Sequence, residues 1–335
     1  MAVTTQVETT RASSSQPLTE RILPQAGLSR WLGIVAWSLV PMLRLVFLAV
    51  LVAAAGLVAG PGAYAGTHLS GALLNTYLLV VVLIGIRPIA RRVGGIALLG
   101  GHSTERVAGL QASVLVPIVI ALLLTFTTES VQLSDFSASA ITSNPLPFAI
   151  AFLATFVMRV PEGVAFWVFV VALLTVAALG RQPVPGSFPE DRSLGLKSVG
   201  QMLTTLLFLY IVILGPSLLF GTSTLIGLLS ILALMGLGLA AMLVAVWAMH
   251  MRMATERAAA VGAARAQYAV AYRAARANPT DDATRRLQAT RLLLDGAESI
   301  HEWPFDDRTQ RIAGLLLSGV ITGVVVRLVL IALGV

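Results

Sequence analysis

MRMATERAAAVGAARAQYAVAYRAARANPTDDATRRLQATRLLLDGAESIHEWPFDDRTQR, residues 251–311, decides how this chain is read. It is the only long polar segment between apolar ones, with about six hydrophobic spans before it and one after. Its Ala, Arg and acid usage is that of a long solvent-facing helix. No breaker separates the preceding span from Met251–Ala277, so one helix is expected to run straight out of the membrane. Val261, Ala264, Tyr268, Ala271 and Ala275 recur at three-four spacing, which marks one face of that helix. Asn278-Pro279 ends it. Thr280 caps a second helix, with Asp281 and Asp282 toward the positive end of its dipole. There Leu287, Leu293, Leu294, Ala297 and Ile300 make an apolar stripe. Two helices, a short turn and one apolar face each predict an antiparallel hairpin. Tyr268 and Leu294 are its expected face residues. Trp303 and Phe305, in the run that closes the module, are its expected anchors at the membrane interface, with a partner-docking or gating loop as the alternative.

Composition sets the class around this segment. The chain has 335 residues, 57% of them hydrophobic and 12% charged, with a mean hydropathy of +0.86. Soluble domains carry about a quarter charged residues, and here apolar runs of membrane-spanning length recur. The expected fold is therefore all-α: a polytopic α-helical membrane protein of about seven transmembrane helices plus a cytosolic antiparallel helical hairpin. Its parts are a disordered cytosolic tail over 1–29, a membrane domain of about six spans over 30–249, the hairpin over 250–311 and a last span over 312–335. The net charge of +7 suits basic cytoplasmic loops better than nucleic-acid binding, and no nucleic acid is expected as a partner. With no Cys there is no disulfide framework, thiolate site or cysteine nucleophile.

The first apolar run is long, and Pro41 divides it. A proline is tolerated at a helix start, so 29–40 reads as an interfacial helix and 41–59 as the first span, with Arg44 snorkelling to the inner headgroups. The alternative makes Arg44 an intramembrane anion site. After a short outer loop over 60–69, the second span ends at Arg87-Pro88, and Ser103 or Thr104 is the candidate cap before a third span kinked at Pro117. Around Pro161 the layout repeats: an interfacial or re-entrant helix over 147–158, then a span from Pro161, with Arg159 and Glu162 close enough to pair at the outer interface. The alternative is one long broken helix with the Arg159–Glu162 pair at a midplane site. Gly215-Pro216 bends the fifth span. In the last span Gly319 and Gly323 form a Gly-x-x-x-Gly pair that predicts a close helix contact, and Arg327 reaches the outer headgroups or pairs with Glu162.

Seven spans put the N-terminus in the cytoplasm of an inner-membrane protein, and the outer loops then lack Lys and Arg apart from Arg159 at a span edge. No zinc-protease, phosphate-loop, dinucleotide or nucleophile-elbow motif occurs, and His68, His102, His250 and His301 are dispersed. No enzyme activity, metal or cofactor is expected. The partners expected are the lipid bilayer and a second copy or another membrane protein. A membrane assembly or regulatory subunit that binds partners through its hairpin is the first functional expectation. A channel or permease for a small anion or weakly polar solute, using Arg44, Arg159 and Arg327, is the second.

Overall fold

The structure, a computed structural model, describes residues 16–23, 27–56, 60–133, 145–182, 194–220, 225–305 and 307–332. These fold into α1 (Leu18–Ile22), α2 (Gly27–Ala54), α3 (Pro61–Ala97), α4 (Gly101–Gly109), a 3-10 turn (Leu110–Ala112), α5 (Leu115–Leu133), α6 (Pro145–Leu179), α7 (Lys197–Phe220), α8 (Leu225–Ala277), α9 (Asp281–Glu298) and α10 (Asp307–Ala332), with no strand among the described residues. Five helices are long and apolar enough to cross a membrane, and a sixth span arises if α4 and α5, bent by 48° at their break, count together. The apolar part of α10, Ser318–Val329, is shorter. The chain is thus an all-helical membrane protein with five to six such helices. Of the outer loop expected over 128–147, the inner loop over 181–197 and the turn over 221–223, residues 134–144, 183–193 and 221–223 lie outside the described residues, while 128–133 and 145–147 are helical turns of α5 and α6.

α6 is the hub: α2, α3, α4, α5 and α8 all pack on it. The main core joins Val82 and Val93 of α3, Val171 and Val176 of α6, Val199 and Met202 of α7, and Met249 and Met253 of α8. Many of the remaining large apolar side chains point outward, among them Leu39, Val46, Leu123 and Leu243. Lipid is the surrounding that makes such exposure favourable.

Prolines do not divide the helices where the sequence suggested. α2 is continuous through Pro41, α3 through Pro88 and α6 through Pro161. The interfacial helices expected at 29–40 and 147–158 are therefore the leading turns of single long helices, and the expected outer loop at 60–69 is taken up by the start of α3 at Pro61. The reason is the solvent. A helix that stopped at membrane depth would leave N–H and C=O groups without water, so the helix continues and neighbours satisfy the carbonyl that proline orphans. The arrangement is visible at Pro216 in α7. Its missing N–H frees the carbonyl of Val212, and the hydroxyl of Tyr77 on α3 donates to that carbonyl at 3.0 Å. Tyr77→Phe should therefore lower stability by ~1 kcal/mol. In the Pro216→Ala background, where the backbone donor returns, the loss should shrink toward zero. Unfolding in mixed micelles measures both, and equal losses in the two backgrounds would refute the pairing.

Pro117 likewise does not mark the kink. It sits in the first turn of α5, and the break lies before it, where the Ser113 hydroxyl accepts from the Val116 amide at 3.5 Å. Ser103 and Thr104 cap nothing: α4 starts at Gly101, with a left-handed φ of +67° that glycine tolerates, and Thr104 is buried. Residues 16–23, placed within a disordered tail by the sequence reading, form α1 and bury Thr19, Glu20 and Leu23.

α8 runs without interruption for 53 residues, from the apolar zone far into the polar segment. α9 packs along this polar half, and Thr280 accepts from the Ala283 amide at 3.2 Å as its cap. Val261, Ala264, Tyr268, Ala271 and Ala275 fall on the less exposed stripe of α8, and Leu287, Leu294 and Ala297 on that of α9. Leu293 points outward instead.

Candidate functional site

Two groups of residues stand out. The first lies along α6, where Thr155, Arg159 and Glu162 are spaced by four and three and so share one face. Glu162 is the eighteenth of 35 residues in a helix ~50 Å long. A bilayer core is ~30 Å thick, less than the length of this helix, and the pair sits at the helix midpoint. One guanidinium nitrogen of Arg159 donates to both carboxylate oxygens of Glu162, at 2.6 and 2.8 Å, and both side chains are more than four-fifths buried. The pair lies mid-helix rather than at a helix start, because α6 starts at Pro145 rather than Pro161. Arg44 of α2 is also buried and does not snorkel: its Nε donates to the Thr155 hydroxyl, which itself donates to the Ala151 carbonyl at 2.9 Å. Directly after Glu162, Gly163 lets α5 approach so closely that a Cβ there would strike the backbone at Pro117 and Ala121.

Arg327 does not join this group. Its helix, α10, packs along α7, and the carboxylate of Glu162 is held by Arg159. The Gly-x-x-x-Gly face makes no close contact at Gly319, where a Cβ would meet open space. Gly323 is half-exposed.

The second group is the root of the polar module. Trp303 stacks on the His250 ring, with centroids 3.9 Å apart and planes 13° off parallel, and meets Trp247 edge-on. The Nδ1 of His250 lies 2.8 Å from the Glu302 carbonyl. Pro304 is buried against α7 where Gly200 leaves room for it, and Trp303 and Phe305 pack on the main core. The two aromatics are thus packed into protein rather than standing alone as interfacial anchors. Above them, Arg257 pairs with Glu302 and donates to the Glu298 carbonyl at 3.0 Å, while Arg265 reaches the Glu298 carboxylate at 3.0 Å. Sequence reasoning passed over His250 because its partners lie 52 and 53 residues away, and a lone histidine after an apolar run carries no signal of its own.

Among the described residues no three His, Asp or Glu side chains converge on a point that could hold a metal ion. What the first group offers is a polar row with one matched ion pair inside apolar helices. What the second offers is a rigid joint between a membrane bundle and a charged helix pair. Together they belong to an all-helical membrane protein in which the polar half of α8 carries α9 packed along it. No protein family model, curated protein or solved structure matches this chain.

Proposed function

We propose that this is a cytoplasmic-membrane protein without enzyme activity that serves as an assembly or regulatory subunit, docking partners on its α8–α9 pair. In this reading seven helices span the membrane, α10 being the last, with the N-terminus and an antiparallel α8–α9 hairpin in the cytosol. The distribution of Lys and Arg supports that orientation. One observation carries the docking role. The inward stripes of α8 and α9 are used against each other, yet Val270, Tyr272 and Leu292 stay 60%, 49% and 72% exposed on a module that has no lipid around it in this orientation. Exposed apolar groups of that size on a polar helix pair suit a protein partner. A second copy is one such partner, and the open Gly319 face supplies a membrane-side contact for it.

The test is affinity purification in mild detergent after cross-linking in the membrane, comparing the full chain with one lacking residues 254–299. A stoichiometric partner present with the full chain and missing with the deletion is the expected result. Recovery of the same proteins with both would overturn the docking role.

The buried position of Arg44 and the mid-helix Arg159–Glu162 pair favour a second reading, a permease or channel for a small anion or weakly polar solute. Flux into liposomes, measured with Arg44, Arg159 and Arg327 neutralised one at a time, distinguishes the two: a permease loses flux, a subunit has none to lose.

A further inference from the structure

α1 and the residue after it lie across the outside of the bundle and touch α2, α3 and the break between α4 and α5. The Glu20 carboxylate sits between two arginines, 3.2 Å from Arg30 of α2 and 3.4 Å from Arg87 of α3. Arg21 reaches the other way and donates to the Ala112 carbonyl at 2.8 Å, at the break between α4 and α5. Leu23 is buried beside Ile34 and Leu83, in a notch that exists because residue 33 is glycine: a Cβ there would collide with the Leu23 side chain. Residues 16–23 are therefore a strap joining the α2–α3 pair to the bent α4–α5 pair.

We propose that this strap is releasable, undocking from α2, α3 and the α4–α5 break while the helices beneath it stay packed on α6. Several terms keep the docked state only slightly favoured. A five-residue helix without a side-chain cap has no stability of its own. Glu20 must be stripped of water to lie between its arginines, and desolvation offsets much of the attraction in such pairs. The Thr19 hydroxyl is buried with no hydrogen-bond partner, a cost that undocking removes. Arg30 keeps the Leu83 carbonyl, at 2.9 Å, when Glu20 leaves. Ile22 is already half-exposed. Set against these are the notch-filling Leu23, Leu18 against the main core, a buried Pro17, two ion pairs and one exposed arginine bond, a short set of contacts for a segment that opens while the bundle stays folded.

The chain has no native cysteine, so one introduced thiol reports alone. Thr19→Cys is a near-isosteric change at a buried position, and Ile22→Cys is the exposed control. In intact membranes a permeant maleimide should label Ile22→Cys fast and Thr19→Cys slowly but to completion. Adding Glu20→Gln should speed Thr19→Cys labelling at least ~10-fold, the response to ~1.4 kcal/mol of lost docking, with labelling of Ile22→Cys unchanged. Arg21→Ala, which removes the Ala112 contact together with a bond inside the strap to the Gln16 carbonyl, should give a smaller rise in the same direction and covers the case in which Glu20→Gln fails to accumulate. Thr19→Cys that stays unlabelled until the protein is denatured would overturn release. So would a rate that neither Glu20→Gln nor Arg21→Ala changes. The hairpin deletion tests the partner role separately, since strap release and partner capture are read by different assays.

Discussion

Glu162→Leu is expected to be among the most damaging single changes in the membrane helices, lowering stability by ~3–5 kcal/mol. The carboxylate is held at 2.6 Å by Arg159 on its own helix, and both side chains are more than four-fifths buried at the middle of α6. Removing Glu162 takes its ion-pair carboxylate from a buried guanidinium, and the cost of a buried charge that has lost its counter-charge, more than the lost attraction, supplies most of the penalty. The double variant Arg159→Met, Glu162→Leu should therefore recover most of the loss, because it removes both charges of the pair. Unfolding in mixed micelles, followed by far-ultraviolet circular dichroism, gives the three stabilities. A double variant as unstable as the single one would sink this account and point to packing instead. The same pair of variants sharpens the functional choice. If the ion pair only matches charges inside α6, the double variant keeps whatever partner the full chain captures. If it lines a solute path, the double variant is stable and yet has no flux.

Much of the polar module was legible in the sequence, and little of the buried charge was. The stripe through Val261, Ala264, Tyr268, Ala271 and Ala275 is a local pattern, and periodicity alone places it on one face. Thr280 as a cap and Asn278-Pro279 as a stop are local too. Leu293 was misplaced because a run of three leucines cannot all face inward: 292 and 293 must turn away once 294 turns in. Proline misled most. The rule that it ends helices comes from chains whose broken ends water can satisfy; at Pro41, Pro88 and Pro161 ending the helix costs more than bridging it. Arg44 read as a snorkelling residue because its acceptor, Thr155, is 111 residues away and is one of many threonines in apolar surroundings. Glu20 read as part of a polar tail for the same reason, since Arg87 is far off in sequence. Long-range pairing leaves no mark on either residue's neighbours.

Two glycines in this chain should respond to alanine with opposite signs, and the contrast tests the joint at the root of the module. Gly262 lies on the exposed polar half of α8, with nothing within 4 Å of an added Cβ. Replacing it relieves the entropy cost of glycine in a helix, so Gly262→Ala should stabilise by up to ~1 kcal/mol. Gly200 lies near the start of α7, and an added Cβ would run into the Pro304 carbonyl, a backbone group held in place by the Trp303 stack on His250. The helix cannot yield there, because Val199 and Met202 on either side of Gly200 are fully buried. Gly200→Ala should therefore cost ~1–3 kcal/mol, as overpacking does, and the cost should appear as local undocking of residues 300–305. Ile300→Cys, at a position only 3% exposed, reports that event by its maleimide labelling rate. The rate should rise at least ~10-fold, the equivalent of ~1.4 kcal/mol, with Gly200→Ala and not with Gly262→Ala. If helix propensity governed both sites, the two changes would share a sign and Ile300→Cys would stay protected in each. If the Gly200 contact governs, the module loses its fixed attachment to the bundle while α8 and α9 stay folded, and partner capture falls with the joint.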